Sequence, residues 1–288
     1  MIRVFAPAKV NLTLKVGRPR ADGRHPLESV VMFAADVGDW VEAKPIPGRT
    51  DELNIVGPFA SALGETADNL VLSAAHALHR AAGIGRAAAV TLEKNLPPAS
   101  GIGGGSSDAA AALQALNQLW SLGLDERRLC EIARALGADV PACVAARALY
   151  MTGSGEEWTP IEAPTLYAVL VNPLTPLSTA DVYRQFDAMK LGDNSCAQPP
   201  PRWSGAPAAL ADIRAMGNDL QAPASVLLPV ITTIIESLRS DARVMYAAMS
   251  GSGATCFALL ETIEAARVFA EELTQSQPGW WVRATPLA

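Results

Sequence analysis

Residues 97–108 restrict the fold of this chain more than any other segment, because positions 101, 103, 104 and 105 are all glycine. Apolar alternation predicts a strand over residues 88–93 before the segment, and an alanine-rich pattern predicts a helix over residues 107–119 after it. Glycines leave backbone N–H groups uncovered, and the first turn of a helix has unpaired donors and the positive end of the dipole. The segment therefore predicts a phosphate-binding loop.

This loop differs from the two common phosphate-binding sequences. No lysine follows its last glycine, as the P-loop requires, and Ser106 stands where a dinucleotide-binding fingerprint has glycine. A second interpretation is a turn in which Ser106, Ser107 or Asp108 only caps the helix. The local pattern leaves both interpretations open.

Two further polar sites lie in apolar surroundings. Lys9 and Asn11 share one face of a strand predicted over residues 2–16 and interrupted by Pro7. They either hold a ligand's phosphate or base, or form a solvated strand face. Asp139 follows Gly137, which we expect to end a helix over residues 125–136 in the left-handed conformation. Its carboxylate is either a functional group or the N-cap of a following helix.

Two turns complete the set of candidate sites. His25 lies in a turn over residues 22–26, which either contacts a ligand or is a plain surface turn. Residues 250–255 contain more glycine than a hairpin turn requires, so they either join two strands or close over a ligand's phosphates.

Short strands alternate with helices along the chain, which predicts an α+β fold of two sheet-and-helix lobes. A composition change near residues 156–164 places the boundary between a first domain, residues 1–157, and a second, residues 158–288. Strands are predicted over residues 30–33, 40–43, 148–152, 167–171, 244–248, 256–260 and 280–284, and helices over 69–82, from 178 or 179, and over 206–215, 223–238 and 263–274.

Composition excludes several classes of protein. The chain has 288 residues, 50% of them hydrophobic, and a net charge of −6, which is typical of a globular protein without the basic surface that nucleic acid requires. Its uncharged stretches contain prolines, glycines and polar residues, and no apolar segment of a signal peptide follows the N-terminus. We expect a cytoplasmic protein that binds neither nucleic acid nor membrane; the sequence leaves a homodimer open.

The motifs, taken in order, resemble those of the GHMP small-molecule kinases. The resemblance rests on P-A-K-x-N at residues 7–11, the glycine- and serine-rich loop, and S-G-S-G-A at residues 250–254. Asp68-Asn69-Leu70 and Asn218-Asp219 also match. The A-D-G-x-H turn ending at His25 and G-A-D-V-P around Asp139 resemble one subgroup, whose substrate is a methylerythritol carrying a cytidine diphosphate.

The resemblance implies a two-domain GHMP kinase fold, with a first domain like domain 2 of ribosomal protein S5 and a ferredoxin-like second domain. It implies transfer of phosphate from ATP, with Mg²⁺, to the 2-hydroxyl of that cytidyl substrate, a step of the non-mevalonate isoprenoid pathway. Asp139 would be the general base, and Lys9 would assist it. Two alternatives remain: a GHMP kinase of a mevalonate- or homoserine-like alcohol, which the histidine turn disfavours, and a nucleotide-binding protein without catalysis, which the presence of both Lys9 and Asp139 disfavours.

The resemblance also implies the binding residues. Those for ATP are Asn69, Lys94, Pro97, Pro98, Ala99, Ser100, Gly101, Ile102, Gly103, Gly104, Gly105, Ser106 and Ser107; those for the cytidyl substrate are Asn11, Arg24, His25, Thr179, Tyr183, Gly251, Ser252 and Gly253. Two positions depart from the family. Arg24 replaces an aromatic residue, although a guanidinium can also stack on a base. Asp108 replaces an asparagine of many members and adds negative charge beside the phosphate-binding loop.

Overall fold

The computed structural model describes residues 1–63, 69–192 and 199–288. Asp68 of the Asp-Asn-Leu motif and Cys196 lie outside the described residues. The strands are β1 (Ile2–Asn11), β2 (Lys15–Val16), β3 (Leu27–Ile46), β4 (Glu52–Val56), β5 (Ala87–Glu93), β6 (Leu149–Thr152), β7 (Glu157–Pro160), β8 (Leu166–Asn172), β9 (Tyr246–Met249), β10 (Cys256–Leu260) and β11 (Trp281–Leu287). The α-helices are α1 (Leu70–Ala82), α2 (Gly104–Leu119), α3 (Glu126–Ala133), α4 (Val140–Ala145), α5 (Thr179–Ala188), α6 (Ala206–Met216), α7 (Gln221–Leu227), α8 (Val230–Arg239) and α9 (Ile263–Ser276).

The chain forms two compact units that interleave along the sequence. The first contains Met1–Ala8, Gly38–Pro98 and Gly103–Ala146; the second contains Lys9–Val37, Ala99–Ile102 and Arg147–Ala288. The division of the family domains after residue 157 remains a prediction. Among the described residues, no helix has both the length and the apolar composition of a membrane span.

The first unit packs four helices beside a small sheet. In that sheet β4 is parallel to β5, and β5 is antiparallel to the C-terminal half of β3. Alanines dominate the buried faces of α1 and α2, so these two helices approach each other closely and support the start of α2.

In the second unit, β11, β8, β10 and β9 form an antiparallel sheet in that order, and the N-terminal half of β3 pairs with β6. One face of the four-stranded sheet packs against helices through Phe186, Ile234, Leu238 and Phe269, which are all buried. The strands β9 and β10 form a hairpin whose turn is the second glycine motif.

Several sequence predictions about the strands were wrong. The runs at residues 30–33 and 40–43 belong to one strand, β3, because Gly38 does not break it. A side-chain carbon at Gly38 would lie 2.4 Å from the carbonyl oxygen of Ala6, so this glycine permits close approach of β1. Pro7 does not interrupt β1, which pairs only with β3 among the described strands and so has an unpaired edge that accepts proline. The prediction missed the short strands β4 and β7.

The helix predictions need three corrections. The segment predicted as one helix over residues 223–238 is two helices, α7 and α8, because Pro229 disfavours helical backbone at the preceding Leu228. Helix α2 begins at Gly104, three residues earlier than predicted. Gly137 does not take the left-handed conformation; α3 ends at Ala133 and continues as tight turns.

Candidate active site

The start of α2 is built from the glycine loop itself. Gly103 is the N-cap, with φ of 66°, and its carbonyl accepts the N–H of Ser107 at 2.9 Å. Ser106, Ser107 and Asp108 therefore lie inside the helix, and no side chain caps it. This contradicts the interpretation that these residues only cap the helix. The first-turn amides of α2 have no partner within the helix, as an anion site requires.

Ser107 has an unsatisfied hydroxyl. Its side chain is buried, and its Oγ has no hydrogen-bond partner among the described residues. Leaving a buried polar group unpaired costs about 1–3 kcal/mol. A bound oxygen-rich ligand or hydrated cation at the start of α2 would satisfy this oxygen.

A buried cluster of charged groups lies directly beside this first turn. The Lys94 Nζ donates to Asp39 Oδ2 at 2.5 Å and to Asp108 Oδ2 at 2.7 Å. A side-chain carbon at Gly104 would lie 3.0 Å from the same Nζ. Asp39 also accepts the backbone N–H groups of Asn95 and Leu96. Among the described residues, Asp108 accepts a hydrogen bond from Lys94 Nζ, and its buried Oδ1 has no partner.

Burial with few partners shifts the pKa of Asp108. Burial raises the pKa of Asp108 to about 8, although the charge of Lys94 opposes the shift. Burial lowers the pKa of Lys94, but the neighbouring carboxyl groups outweigh it and raise that pKa. Burial thus favours the neutral form of Asp108 beside the Lys94 ammonium, which reduces the charge that the departure from asparagine adds beside the loop. The assignment of Lys94 to ATP remains a prediction.

We expect Asp108→Asn to change how stability depends on pH. The folded pKa of Asp108 lies above its ordinary value of 3.8, so its protonated form contributes to the free energy of unfolding. This contribution is complete below pH 3.8 and is lost as pH rises through about 8. The variant lacks this loss, so its Tm should rise relative to the parent between pH 5 and pH 9. The largest slope is about 1.4 kcal/mol per pH unit. The exposed Glu271→Gln serves as the control; a parent-to-Asp108→Asn difference that is constant over this range would contradict the prediction.

In the second unit, the two glycine motifs are in direct backbone contact. The Thr255 N–H donates to the Ser100 carbonyl at 3.0 Å, and the Ser250 hydroxyl donates to the Gly101 carbonyl at 3.3 Å. Gly101 has φ of 76°, and a side-chain carbon there would lie 2.4 Å from the Gly253 carbonyl oxygen. The turn over residues 250–255 is therefore a hairpin turn that is also built against the first loop.

The backbone N–H groups of Lys9 and Asn11 each form a hydrogen bond to one of these two glycine motifs. The Lys9 N–H donates to the Ile102 carbonyl at 2.8 Å, and the Asn11 N–H donates to Ser250 Oγ at 3.0 Å. Both side chains are buried, which contradicts the interpretation as a solvated strand face. The Asn11 amide is fixed because its Nδ2 donates to Ser29 Oγ at 2.7 Å.

The predicted substrate residues of the second unit fall into two groups. Thr179 opens α5, and its hydroxyl lies 2.8 Å from that of Ser252 in the glycine turn. His25 is buried, so its turn is more than a plain surface turn. Its ring packs against Tyr183, with centroids 5.0 Å apart, whereas the Arg24 side chain is exposed.

Two predicted residues lie at helix starts of the first unit. Asn69 is the N-cap of α1, where its Oδ1 accepts the Val71 N–H at 2.9 Å. Asp139 is the N-cap of α4, but its side chain makes no capping hydrogen bond and is partly exposed. The expected capping role of the Asp139 carboxylate is therefore not observed.

Sequence reasoning missed residues that position the site from a distance along the chain. Asp39 gave one weak signal, an acidic residue directly before the strand predicted over residues 40–43. Asn218 matches a family motif, but the sequence did not indicate that its Nδ2 donates to the carbonyls of Met249 and Gly251 and holds the glycine turn.

Comparison with known proteins matches both parts of the chain to one family. The GHMP kinases N terminal domain matches residues 69–147, and GHMP kinases C terminal matches residues 206–278. The 4-diphosphocytidyl-2-C-methyl-D-erythritol kinase of Rhodopseudomonas palustris is 46% identical over 297 residues, which cover 100% of this chain and 97% of the relative. The chain belongs to this family of GHMP kinases. It is an ATP-dependent small-molecule kinase.

Solved structures confirm the predicted GHMP kinase fold. The crystal structure of 4-(cytidine 5'-diphospho)-2C-methyl-D-erythritol kinase matches with a TM-score of 0.79 and 31% identity over 99% of both chains. Homoserine kinase from Cytophaga hutchinsonii matches with a TM-score of 0.70 and 18% identity, over 99% of this chain and 94% of that one. The second likeness shows the fold alone, so the fold does not identify the alcohol substrate.

We expect Gly101→Ala to destabilise this kinase and weaken ATP binding. The new methyl group would meet the Gly253 carbonyl, and alanine is strained at φ of 76°. Strain of this kind costs about 1–3 kcal/mol, measurable as a lower free energy of unfolding in urea. Gly279→Ala is the matched control in the same unit, since no heavy atom lies within 4 Å of the added carbon. Equal unfolding midpoints for the two variants would show that the two glycine motifs do not depend on their contact.

Proposed function

We propose that this kinase transfers the γ-phosphate of ATP to the 2-hydroxyl of 4-diphosphocytidyl-2-C-methyl-D-erythritol, a step of the non-mevalonate isoprenoid pathway. The observation that carries the proposal is the buried ring of His25. This residue lies in the turn that marks the subgroup, and its ring packs against Tyr183 of α5. The named relative, 46% identical over the whole chain, supports the same substrate. A mevalonate- or homoserine-like alcohol has no base for such a ring to recognise.

In this proposal Asp139 is the general base. It takes the proton of the 2-hydroxyl as the oxygen attacks the γ-phosphorus, and ADP leaves from the opposite side. The ammonium of Lys9 stabilises negative charge on the attacking oxygen. Support comes from the family motifs at these positions and from an Asp139 carboxylate that does not cap α4.

The phosphates of ATP would bind at the start of α2. Backbone N–H groups of its first turn face an anion with the favourable end of the helix dipole. The unsatisfied Ser107 hydroxyl suits either a phosphate oxygen or a water of bound Mg²⁺, because hard cations prefer oxygen ligands. Mg²⁺ supplies positive charge that offsets the charge of the β- and γ-phosphate oxygens.

The remaining predicted residues would bind the cytidyl substrate. Thr179 and Ser252, whose hydroxyls are already adjacent, would contact its phosphates together with the backbone of the glycine turn. His25 would hydrogen-bond the cytosine, and Tyr183 or Arg24 would pack on its face. Asn11 would approach the methylerythritol end. A cytoplasmic location remains a prediction.

We expect Asp139→Asn to lower kcat by a factor on the order of 10²–10⁴, because the isosteric amide cannot accept the proton. The Kd for ATP, measured by calorimetry, should change little, since the carboxylate is not proposed to hold the nucleotide. Lys9→Met should also lower kcat strongly. Activity of Asp139→Asn within a few-fold of the parent would remove Asp139 from the role of base.

We expect His25→Ala to raise the KM for the cytidyl alcohol at least about tenfold, because a site built for buried hydrogen bonds rejects unmatched partners strongly. The KM for ATP should stay unchanged, and Arg24→Ala should have a smaller effect because stacking tolerates substitution. Steady-state kinetics at saturating ATP measures both constants. Equal turnover of mevalonate or homoserine by the parent enzyme would favour the alternative kinases over the proposed function.

A further inference from the structure

A buried chain of hydrogen bonds sets the orientation of the Asn11 side chain. Ser29 Oγ lies 2.5 Å from the Thr13 carbonyl oxygen, and it must donate its proton there because a carbonyl only accepts. The lone pairs of the same hydroxyl then accept from Asn11 Nδ2, at 2.7 Å. Ser29 and Thr13 are fully buried, so solvent offers the hydroxyl no other acceptor. The Asn11 amide therefore turns its NH₂ toward Ser29 and its Oδ1 away.

The backbone of Asn11 is held by a second chain of the same kind. Ser250 Oγ donates to the Gly101 carbonyl at 3.3 Å and accepts the Asn11 N–H at 3.0 Å. Ser250 is also fully buried. Asn11 is thus fixed at its backbone by one serine and at its side chain by another, and a backbone carbonyl orients each serine.

The Oδ1 atom of Asn11 stays open in this arrangement. It accepts no hydrogen bond from the described residues, whose contacts with Asn11 are those of the two serines. A side-chain carbon at Gly251 would lie 3.3 Å from this Oδ1, so the oxygen faces the glycine turn at a position that no side chain covers. An amide oxygen only accepts, and a hydroxyl group of a bound alcohol is a donor that matches it.

We propose that Ser29 is a positioning residue for phosphoryl transfer: it makes Asn11 present an acceptor, rather than a donor, to a hydroxyl group of the alcohol substrate. The terminal torsion of an asparagine is roughly two-fold, so without Ser29 no contact of the amide would favour one orientation over the other. An NH₂ group in the place of Oδ1 cannot accept the proton of a hydroxyl. The inference rests on the proposed function, which places the alcohol beside Asn11.

A double-mutant cycle tests this role through kcat/KM for the cytidyl alcohol at saturating ATP. We expect Ser29→Ala to lower kcat/KM about tenfold, the effect of one lost hydrogen bond in the transition state, and to leave the KM for ATP unchanged. In an Asn11→Ala background the same substitution should have almost no further effect, because Ser29 acts only through Asn11. A residue that only supports the fold would instead lower activity equally in both backgrounds.

The matched control is Thr285→Val, which removes another fully buried hydroxyl of the same unit. This hydroxyl donates to Asp36 at 2.6 Å, and its loss should leave kcat/KM unchanged. Urea unfolding of every variant separates a loss of stability from a kinetic effect. If Ser29→Ala does not fold, Ser29→Cys replaces it, because a thiol is a weak donor and acceptor.

Two results would overturn the inference and leave the proposed function intact. One is a folded serine variant with the kcat/KM of the parent, and the other is an equal loss in the parent and Asn11→Ala backgrounds. A parent enzyme that does not phosphorylate the cytidyl alcohol would instead refute the proposed function. The cycle would then be measured with the alcohol that the parent does phosphorylate, and the same two results would decide the role of Ser29.

Discussion

The backbone contact between Gly101 and Gly253 is the constraint on which the polar groups of the second unit's glycine motifs depend. No side chain fits between these residues, because an added carbon at Gly101 would lie 2.4 Å from the opposite carbonyl. The contact fixes the Ser250 hydroxyl, which in turn accepts the N–H of Asn11. The neighbouring Thr179 meets the same turn through Ser252. One close backbone approach therefore determines the position of three polar side chains.

In the first unit, a buried cluster of charged groups stabilises the start of α2. Buried charges are normally costly, but Lys94 has partners on two sides, and Asp39 receives two additional backbone donors. Asp108 lacks such donors, and burial raises its pKa, which favours its neutral form. A carboxylic acid has nearly the shape of a carboxamide. An acid at position 108 thus fits the space of an amide, and it lowers the free energy of unfolding only at high pH, where it ionises.

Local motifs were predictable from the sequence, whereas contacts between distant segments were not. Glycine spacing indicated a loop with uncovered amides before α2, and Asn69 correctly indicated the start of α1. The unbroken β3 was missed because Gly38 looks like a strand end unless the neighbouring β1 is known. The role of Asp39 was missed because its partner Lys94 lies 55 residues away and neither residue belongs to a glycine motif.

The same difference explains why phosphate binding is easier to infer than base recognition. A phosphate is bound largely by backbone amides at a helix start, and glycines in the sequence indicate where such amides are exposed. A base is distinguished by the pattern of donors and acceptors that side chains present to it. In the proposed function His25 presents part of that pattern, and its ring is held by the Gly17 carbonyl 2.9 Å from Nδ1 and by packing against Tyr183 of a separate helix. The chemical identity of the recognised group is therefore a property of the folded unit rather than of any one motif.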